Sequence, residues 1–198
     1  MIAIVQARTN SSRLPGKILK KIKDKTLIGL LIYRLKKAKK IKKIIVATSN
    51  SDVDNKLVKI LLKKKIKVFR GNLKDVVDRL YKASAGNKFF IRINGDSPLI
   101  DPFLIDQMIK AFNKIKKKNY DIFTNTQPRS FPKGQSIEII RRNILKENYK
   151  KMNLIDKEHV TRFFYRNKKK FNIKNFKNIW KIFKIKFAID TKKDLANL

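Results

Sequence analysis

A chain of 198 residues, 42% of them hydrophobic, is the size of one globular domain and can bury a proper core; with no cysteine it excludes a disulfide framework, a thiolate metal site and a cysteine nucleophile. The opening MIAIVQARTN is no secretory signal, and no run approaches the ~20 apolar residues of a membrane span, so a cytoplasmic protein without a membrane partner is expected. The formal charge of +36 invites a nucleic-acid reading, but the excess is mostly Lys scattered through every segment, and no RNP-type aromatic motif, zinc-finger spacing or helix-turn-helix signature accompanies it, so no specific nucleic-acid partner is expected.

Residues Ile2 to Val5 read as a buried strand entering a polar, Gly/Pro-bearing loop. From Leu27 to Ala38, apolar Leu27, Leu30, Leu31 and Leu35 recur at helical spacing and predict an amphipathic helix. Ile44 to Ala47 is a second strand, and Asp52 to Leu62 a helix with Ser51 or Asp52 as cap. Ile66 to Phe69 is a third strand, Lys74 to Ser84 a helix, and Phe89 to Ile93 a fourth strand. This alternation predicts an α/β fold with a mostly parallel sheet.

The second half is less regular. A helix is predicted from Pro102 to about Lys116, strands at Asp121 to Thr124 and Ser136 to Ile140, and helices at Asn143 to Lys150 and Glu158 to Asn167. The basic stretch Lys168 to Lys184, with Phe171, Phe176, Trp180 and Phe183 interleaved, suits either strand-rich capping structure or a partner surface. Ile185 to Ile189 reads as a last strand, and Thr191 as the cap of a short helix.

In open α/β sheets, ligands sit beyond the carboxyl ends of the strands. The loop Gln6 to Lys17 after the first strand carries three cations, Arg8, Arg13 and Lys17, with small residues and a Gly that let backbone amides approach an anion. It matches neither GxxxxGK[ST] nor GxGxxG, and a triphosphate is its expected ligand. Arg strengthens that reading over a plain basic loop, because it is scarce here and its planar fork suits phosphate oxygens. Asp96, in RINGDSPLID, follows the fourth strand beside a Gly and is placed either to hold Mg²⁺ or to make an Asx turn before Pro98. Asp101 before Pro102 reads as a helix cap. Asp190 ends the apolar FAID and either completes the metal site or caps a helix. Gly71, Asp75, Asp78 and Arg79, then Phe131 to Glu138, then Glu158 to Thr161, form a looser set; Gln135 and Glu138 face either a sugar pocket or, as on any hairpin, solvent. The lone His159 is read as structural rather than as a general base.

The segments ARTNSSRLPGK, GNLKDVVDRLYKA, RINGDSPLIDP, FPKGQSIEII, EHVTRFFYRN and FAIDTKKDL together resemble the CMP-sugar synthetases, most nearly the branch containing spore coat polysaccharide biosynthesis protein F, over nearly the whole chain and in order. That resemblance implies a Rossmann-like, mixed but mostly parallel sheet in a three-layer α/β/α arrangement of the nucleotide-diphospho-sugar transferase type. It implies transfer of CMP from CTP to a sugar or sugar acid with release of pyrophosphate, in surface polysaccharide biosynthesis. By the same resemblance Ala7, Arg8, Ser12, Arg13, Lys17, Asp75, Arg79 and Asp96 would meet the nucleotide, with Arg8, Arg13 and Lys17 carrying the chemistry. Asp96 and Asp190 would hold Mg²⁺, while Gln135, Glu138 and Arg79 would meet the sugar. The chain is then read as one domain, 1–198, with 125–180 as a less regular sugar-binding or dimerisation insertion; a homodimer is an expectation of the resemblance alone. Family members generally continue beyond the segment matching FAIDTKKDL, whereas this sequence ends at Leu198.

The alternatives are a glycosyltransferase on a similar fold, for which Asp52-Val53-Asp54 supplies a D-x-D pair better suited to a helix cap, and a basic nucleic-acid-binding protein, supported by net charge alone.

Overall fold

The apolar runs that alternate with helices in the sequence become neighbours in one sheet of the computed structural model, which describes residues 1–115, 119–178 and 185–196. Strand β1 (Ile2–Gln6) pairs in parallel with β4 (Lys43–Ser49) on one side and β6 (Phe89–Asn94) on the other, and β4 pairs in parallel with β5 (Lys67–Gly71). Beyond β6 lie β8 (Glu138–Arg141), antiparallel to both its neighbours, then β7 (Ile122–Thr124) and β9 (Ile173–Asn175), giving the order β5-β4-β1-β6-β8-β7-β9. A two-stranded ribbon, β2 (Lys21–Ile22) with β3 (Lys25–Thr26), closes the stretch between β1 and the first helix.

Side chains alternate across the sheet as the strand period of two requires. Ala3 and Val5 of β1 face a core shared with α1 (Leu27–Lys37), α2 (Asn55–Lys63) and α4 (Pro102–Asn113), whereas Ile2 and Ile4 face a second core shared with α3 (Val76–Ala83), α5 (Arg142–Asn148) and α7 (Arg162–Arg166). The result is three layers, helices over both faces of the sheet, as the sequence predicts. Ile4 and Leu31 are fully buried, each stabilising the fold by roughly 1.5–3 kcal/mol.

Details of the helices differ from the sequence expectation. The apolar stripe of α1 is Leu27, Ile28, Leu31, Ile32 and Leu35, with Leu30 turned to its margin, and Thr26 caps it by accepting from the Gly29 amide at 3.1 Å. Neither Ser51 nor Asp52 caps α2: a 3₁₀ turn, Asp52–Asp54, comes first, Ser51 makes no side-chain cap bond, and the Asp54 carboxylate is engaged elsewhere. Asp101 caps α4 as expected, accepting from the Phe103 amide at 3.0 Å with Pro102 opening the helix; α4 ends at Asn113, and Lys116 lies outside the described residues.

The helix expected over Glu158–Asn167 is two pieces. α6 (Leu154–Glu158) stops where His159 adopts a non-helical backbone (φ −104°, ψ 55°), and α7 restarts at Arg162. β-branched Val160 and Thr161 occupy the joint and are buried there. Within the basic stretch, Phe171 packs edge-on against Phe163 and Phe164, and Phe176 stacks on Phe131 with centroids 6.0 Å apart. These rings serve the cores; Trp180 and Phe183 lie outside the described residues. Ile185–Ile189 forms no strand of the sheet: among the described residues it makes one β-bridge, Lys133 to Lys186, and is otherwise held by amide bonds to loop carbonyls. Among the described residues no helix is long and apolar enough to cross a membrane.

Candidate active site

The parallel strands β4, β1 and β6 end side by side, with Gln6 in register with Ala47 and Asn94, so the loops leaving them open onto one crevice. Two of these loops touch. The Gly95 amide donates to the Gln6 carbonyl at 2.9 Å, and a Cβ on Gly95 would stand 2.9 Å from the Ala7 Cβ, so only glycine lets the β6 exit lie this close to the β1 exit.

The loop after β1 is tied by its own backbone. The Thr9 carbonyl accepts from the amides of Ser11 (2.9 Å) and Gly16 (2.8 Å), and Gly16 takes the left-handed conformation (φ 66°) that turns the chain into the 3₁₀ turn Lys17–Leu19. Ser12 and Arg13 are exposed at the tip, and among the described residues no acceptor meets the amides of Asn10, Ser12 or Arg13. The loop therefore offers amides and an exposed cation to solvent at the edge of the crevice, an arrangement suited to an anion.

Beneath the tip, Lys17 is nearly buried and its ammonium donates to three oxygens: Ile189 O at 2.8 Å, Asp96 Oδ2 at 3.3 Å and Asp190 Oδ1 at 3.3 Å. Arg13 donates to the same Asp190 oxygen at 2.9 Å. Asp96 and Asp190 thus converge on one positive group. The Asp96 carboxylate makes no Asx turn; its partners are Lys17 and, loosely, the Ser97 hydroxyl. Asp190 is not the cap of α8 (Lys192–Ala196): the Thr191 hydroxyl accepts from the Asp194 amide, and Asp194 accepts from the Asp190 and Thr191 amides in return. Asp194 is held well below the ordinary carboxylate range, chiefly by Lys186 at 2.6 Å. Asp190 arrives at the site because the amides of Phe187 and Ala188 bond to Lys133 O and that of Ile189 to Asp96 O, across loop ends rather than along a sheet edge. Gly134 permits this approach, since a Cβ there would lie 2.6 Å from the backbone of Phe187 and Ala188.

Arg8 and Arg79 form the other wall. Arg8 pairs with Glu158 at 2.8 Å, both half-exposed. Arg79 is fully buried; its Nη1 donates to Asn72 O at 2.7 Å, while Nε and Nη2 have no partner among the described residues. Burial first, then the charge of Arg8, pushes its guanidinium down to about 10 despite Asp54 and Asp75 nearby. Asp75 caps α3 by accepting from the Asp78 amide at 2.9 Å and also accepts from the Tyr149 hydroxyl.

The residues expected to meet a sugar spend their polar atoms on protein partners. Gln135 accepts from the Asp101 amide at 2.7 Å and donates to Leu99 O at 2.9 Å, fastening the approach to β8 to the loop behind Asp96. Glu138 accepts from Arg92, which also donates to the Gln6 side chain at 3.0 Å, and from the buried Tyr165 hydroxyl, whose pKa is pushed up by burial and by Glu138. Three participants escaped sequence reasoning. Arg92 and Tyr165 were visible only as residues of a strand and a helix, and Asp54 only as a cap; an acid a few residues after Thr48-Ser49 at a strand end was the signal available for the last.

The sequence matches the cytidylyltransferase family over residues 2–198. It is 37% identical over 179 residues to the uncharacterized protein MJ1063 of Methanocaldococcus jannaschii, covering 87% of this chain and 70% of that one. It is 29% identical over 208 residues to the spore coat polysaccharide biosynthesis protein SpsF of Bacillus subtilis, covering 100% of this chain and 84% of that one. Among solved structures, a cytidylyltransferase from Leptospira borgpetersenii superposes with a TM-score of 0.92 at 30% identity over 98% of this chain and 82% of that one. A CMP:2-keto-3-deoxy-manno-octonic acid synthetase solved with CTP shares the fold, with a TM-score of 0.73 at 18% identity over 99% and 95% of the two chains. Because the family match takes in the Arg-bearing loop, Asp96 and Asp190 together, the chain belongs to the cytidylyltransferase family.

Proposed function

We propose that this protein transfers CMP from CTP to a sugar or sugar acid, releasing pyrophosphate, with Mg²⁺ as cofactor and as a step toward a surface polysaccharide. The observation that carries the reading is the convergence of Lys17, Arg13, Asp96 and Asp190 beside the open amides of the loop after β1. The donor set suits a hard divalent ion. Two carboxylates already share one positive charge, and Mg²⁺ takes one or two protein carboxylates and fills its shell with phosphate oxygens and water. Asp96 and Asp190 would hold it, and when bound it would neutralise charge on the phosphates.

In this reading a sugar hydroxyl attacks the α-phosphorus of CTP; the new bond is sugar oxygen to phosphorus, and the bond that breaks joins that phosphorus to pyrophosphate. Such a displacement needs positioning and charge neutralisation more than covalent help from the protein. Arg8, Arg13 and Lys17 would meet the phosphate oxygens, the loop amides at Ser12 and Arg13 would hold the departing end, and Ala7 would pass the nucleotide at van der Waals distance. Arg79, buried with two nitrogens that have no partner among the described residues, is a reserve of donors for the nucleotide or the sugar. Residues 125–180, which bring Glu138 and Tyr165 beside Arg92 and carry Gln135, would form the acceptor side.

A glycosyltransferase reading loses its metal motif: Asp54 of the D-x-D pair is fully buried and saturated by hydroxyl and amide donors. The deciding experiment incubates the protein with CTP, Mg²⁺ and a panel of sugars and sugar acids and measures pyrophosphate. Release that depends on CTP, metal and one acceptor supports the proposal; hydrolysis of a finished nucleotide sugar without pyrophosphate would replace it with the glycosyltransferase.

A further inference from the structure

Asp54 is fully buried, yet its carboxylate accepts from five donors: the Thr9 amide (2.7 Å) and hydroxyl (2.6 Å), the Thr48 hydroxyl (2.8 Å), and the Ser49 amide (3.0 Å) and hydroxyl (2.5 Å). A carboxylate offers about four lone-pair sites, so these donors leave none for a ligand or a metal. Burying it would be costly without them. Burial by itself raises its pKa, and the bonds from Ser49, Thr9 and Thr48 outweigh that and hold it below the ordinary range, so it is a charged anchor.

The donors come from two places. Thr48 and Ser49 end β4 and are close in sequence, as any turn would allow. Thr9 lies 45 residues away, in the loop that carries Arg8, Arg13 and Lys17. The Thr9 carbonyl gathers the Ser11 and Gly16 amides, so the residue is the knot of that loop: Arg8 leaves on one side, Arg13 and Lys17 on the other. The Asp54 charge also acts on the buried Arg79, opposing the effect of Arg8 there.

We propose that Asp54 is the positioning residue of the triphosphate loop, holding Thr9 against the end of β4 so that Arg8, Arg13 and Lys17 are placed before the nucleotide arrives. This rests on the cytidylyl-transfer reading above. Asp54 touches no reacting atom and acts only through Thr9. Since a misplacement of about 1 Å can cost a reaction roughly 10²-fold, an anchor of this kind tells on nucleotide binding before it tells on the sugar.

The test compares Asp54→Asn, Thr9→Val and Thr9→Ser with the parent. Thr9→Val removes one hydroxyl and leaves Thr48 and Ser49 to satisfy Asp54, so it stays folded even if Asp54→Asn does not. Three readouts are taken: calorimetric CTP affinity with Mg²⁺, KM for CTP against KM for the sugar, and amide hydrogen exchange over residues 10–17 without nucleotide. Losing one charge-assisted bond should weaken CTP binding by ~10-fold or more and raise KM for CTP with KM for the sugar unchanged. Exchange over 10–17 should quicken in both disruptive variants, and Thr9→Ser should restore all three readouts. The proposal is overturned if Thr9→Val keeps the parent's CTP affinity and loop exchange, or if it lowers only the melting temperature. Should the parent itself bind no CTP, the functional reading fails, and the anchor is still judged by loop exchange, which needs no nucleotide.

Discussion

The Lys17 ammonium lies 3.3 Å from the Asp190 carboxylate although 173 residues separate them in the chain, and it lies equally far from Asp96. One nearly buried cation thus holds two acids together, and the same cation ends the loop proposed to receive the triphosphate. Lys17→Ala is expected to lower turnover by about 10²- to 10³-fold, the usual cost of losing a preorganised charge partner. The protein should keep its fold, because the hydrophobic cores do not include this side chain. Pyrophosphate release together with circular dichroism checks both halves of the expectation, and ordinary turnover in a folded variant would sink the assignment.

Arg79 predicts a conflict between stability and function. Two of its nitrogens are buried without acceptors among the described residues, and an unsatisfied buried donor costs about 1–3 kcal/mol. Arg79→Met keeps the length of the apolar stem and removes the unpaired groups. Its ligand-free melting temperature should match or exceed the parent's, while its CTP affinity should fall by ~10-fold. A variant that melts lower and binds CTP normally would show that Arg79 serves the fold alone.

At Gly95 the steric argument gives a cleaner expectation. An added Cβ would lie 2.9 Å from the Ala7 Cβ and 3.0 Å from the Gln6 carbonyl, so Gly95→Ala must push the ends of β1 and β6 apart. Overpacking of this kind costs about 1–3 kcal/mol. Denaturant unfolding should register that loss, and the displaced β1 exit should reduce turnover further than the stability loss explains. Parent-like stability would mean the two loops are more loosely apposed than the contact implies.

The pH dependence follows from Asp54. Its pKa is lowered below the ordinary value of 3.8 in the folded protein, net of a burial effect that raises it, because Ser49, Thr9 and Thr48 favour the charged form. A carboxylate depressed on folding contributes stability above its unfolded pKa, and that contribution is lost as pH falls through the folded one. The unfolding free energies of the parent and Asp54→Asn should therefore differ most near neutrality and converge below about pH 4. Urea titrations across that range test it; a gap that widens on acidification would contradict the assignment.

The chain spells out its α/β order through features that need only near neighbours. Short apolar runs such as Ile2 to Val5, helical stripes such as Leu27 with Leu31 and Leu35, and Pro102 behind Asp101 are all local signals, and each appears in the structure close to its predicted place. The Arg-bearing loop was legible for the same reason, since its cations, small residues and Gly16 sit within twelve positions at a strand end. Where local signals competed, reading failed. The apolar alternation of Ile185–Ile189 promised a strand, but Lys133 O and Asp96 O take the amides of Phe187, Ala188 and Ile189. The Glu158–Asn167 periodicity promised one helix, but the break at His159 ends α6 at Glu158, the residue that pairs with Arg8.

Sequence alone determined which residues could bear charge and which stretches could form strands or helices, because backbone propensity and side-chain period act over a few residues. Only the tertiary structure decided that Asp96, Asp190 and Lys17 share one point and that Asp54 belongs to Thr9 rather than to a helix cap. Those meetings depend on the order in which β4, β1 and β6 assemble and on two glycines, Gly95 and Gly134, that admit a neighbouring backbone, and neither strand order nor closest approach is written in the spacing of residues along the chain.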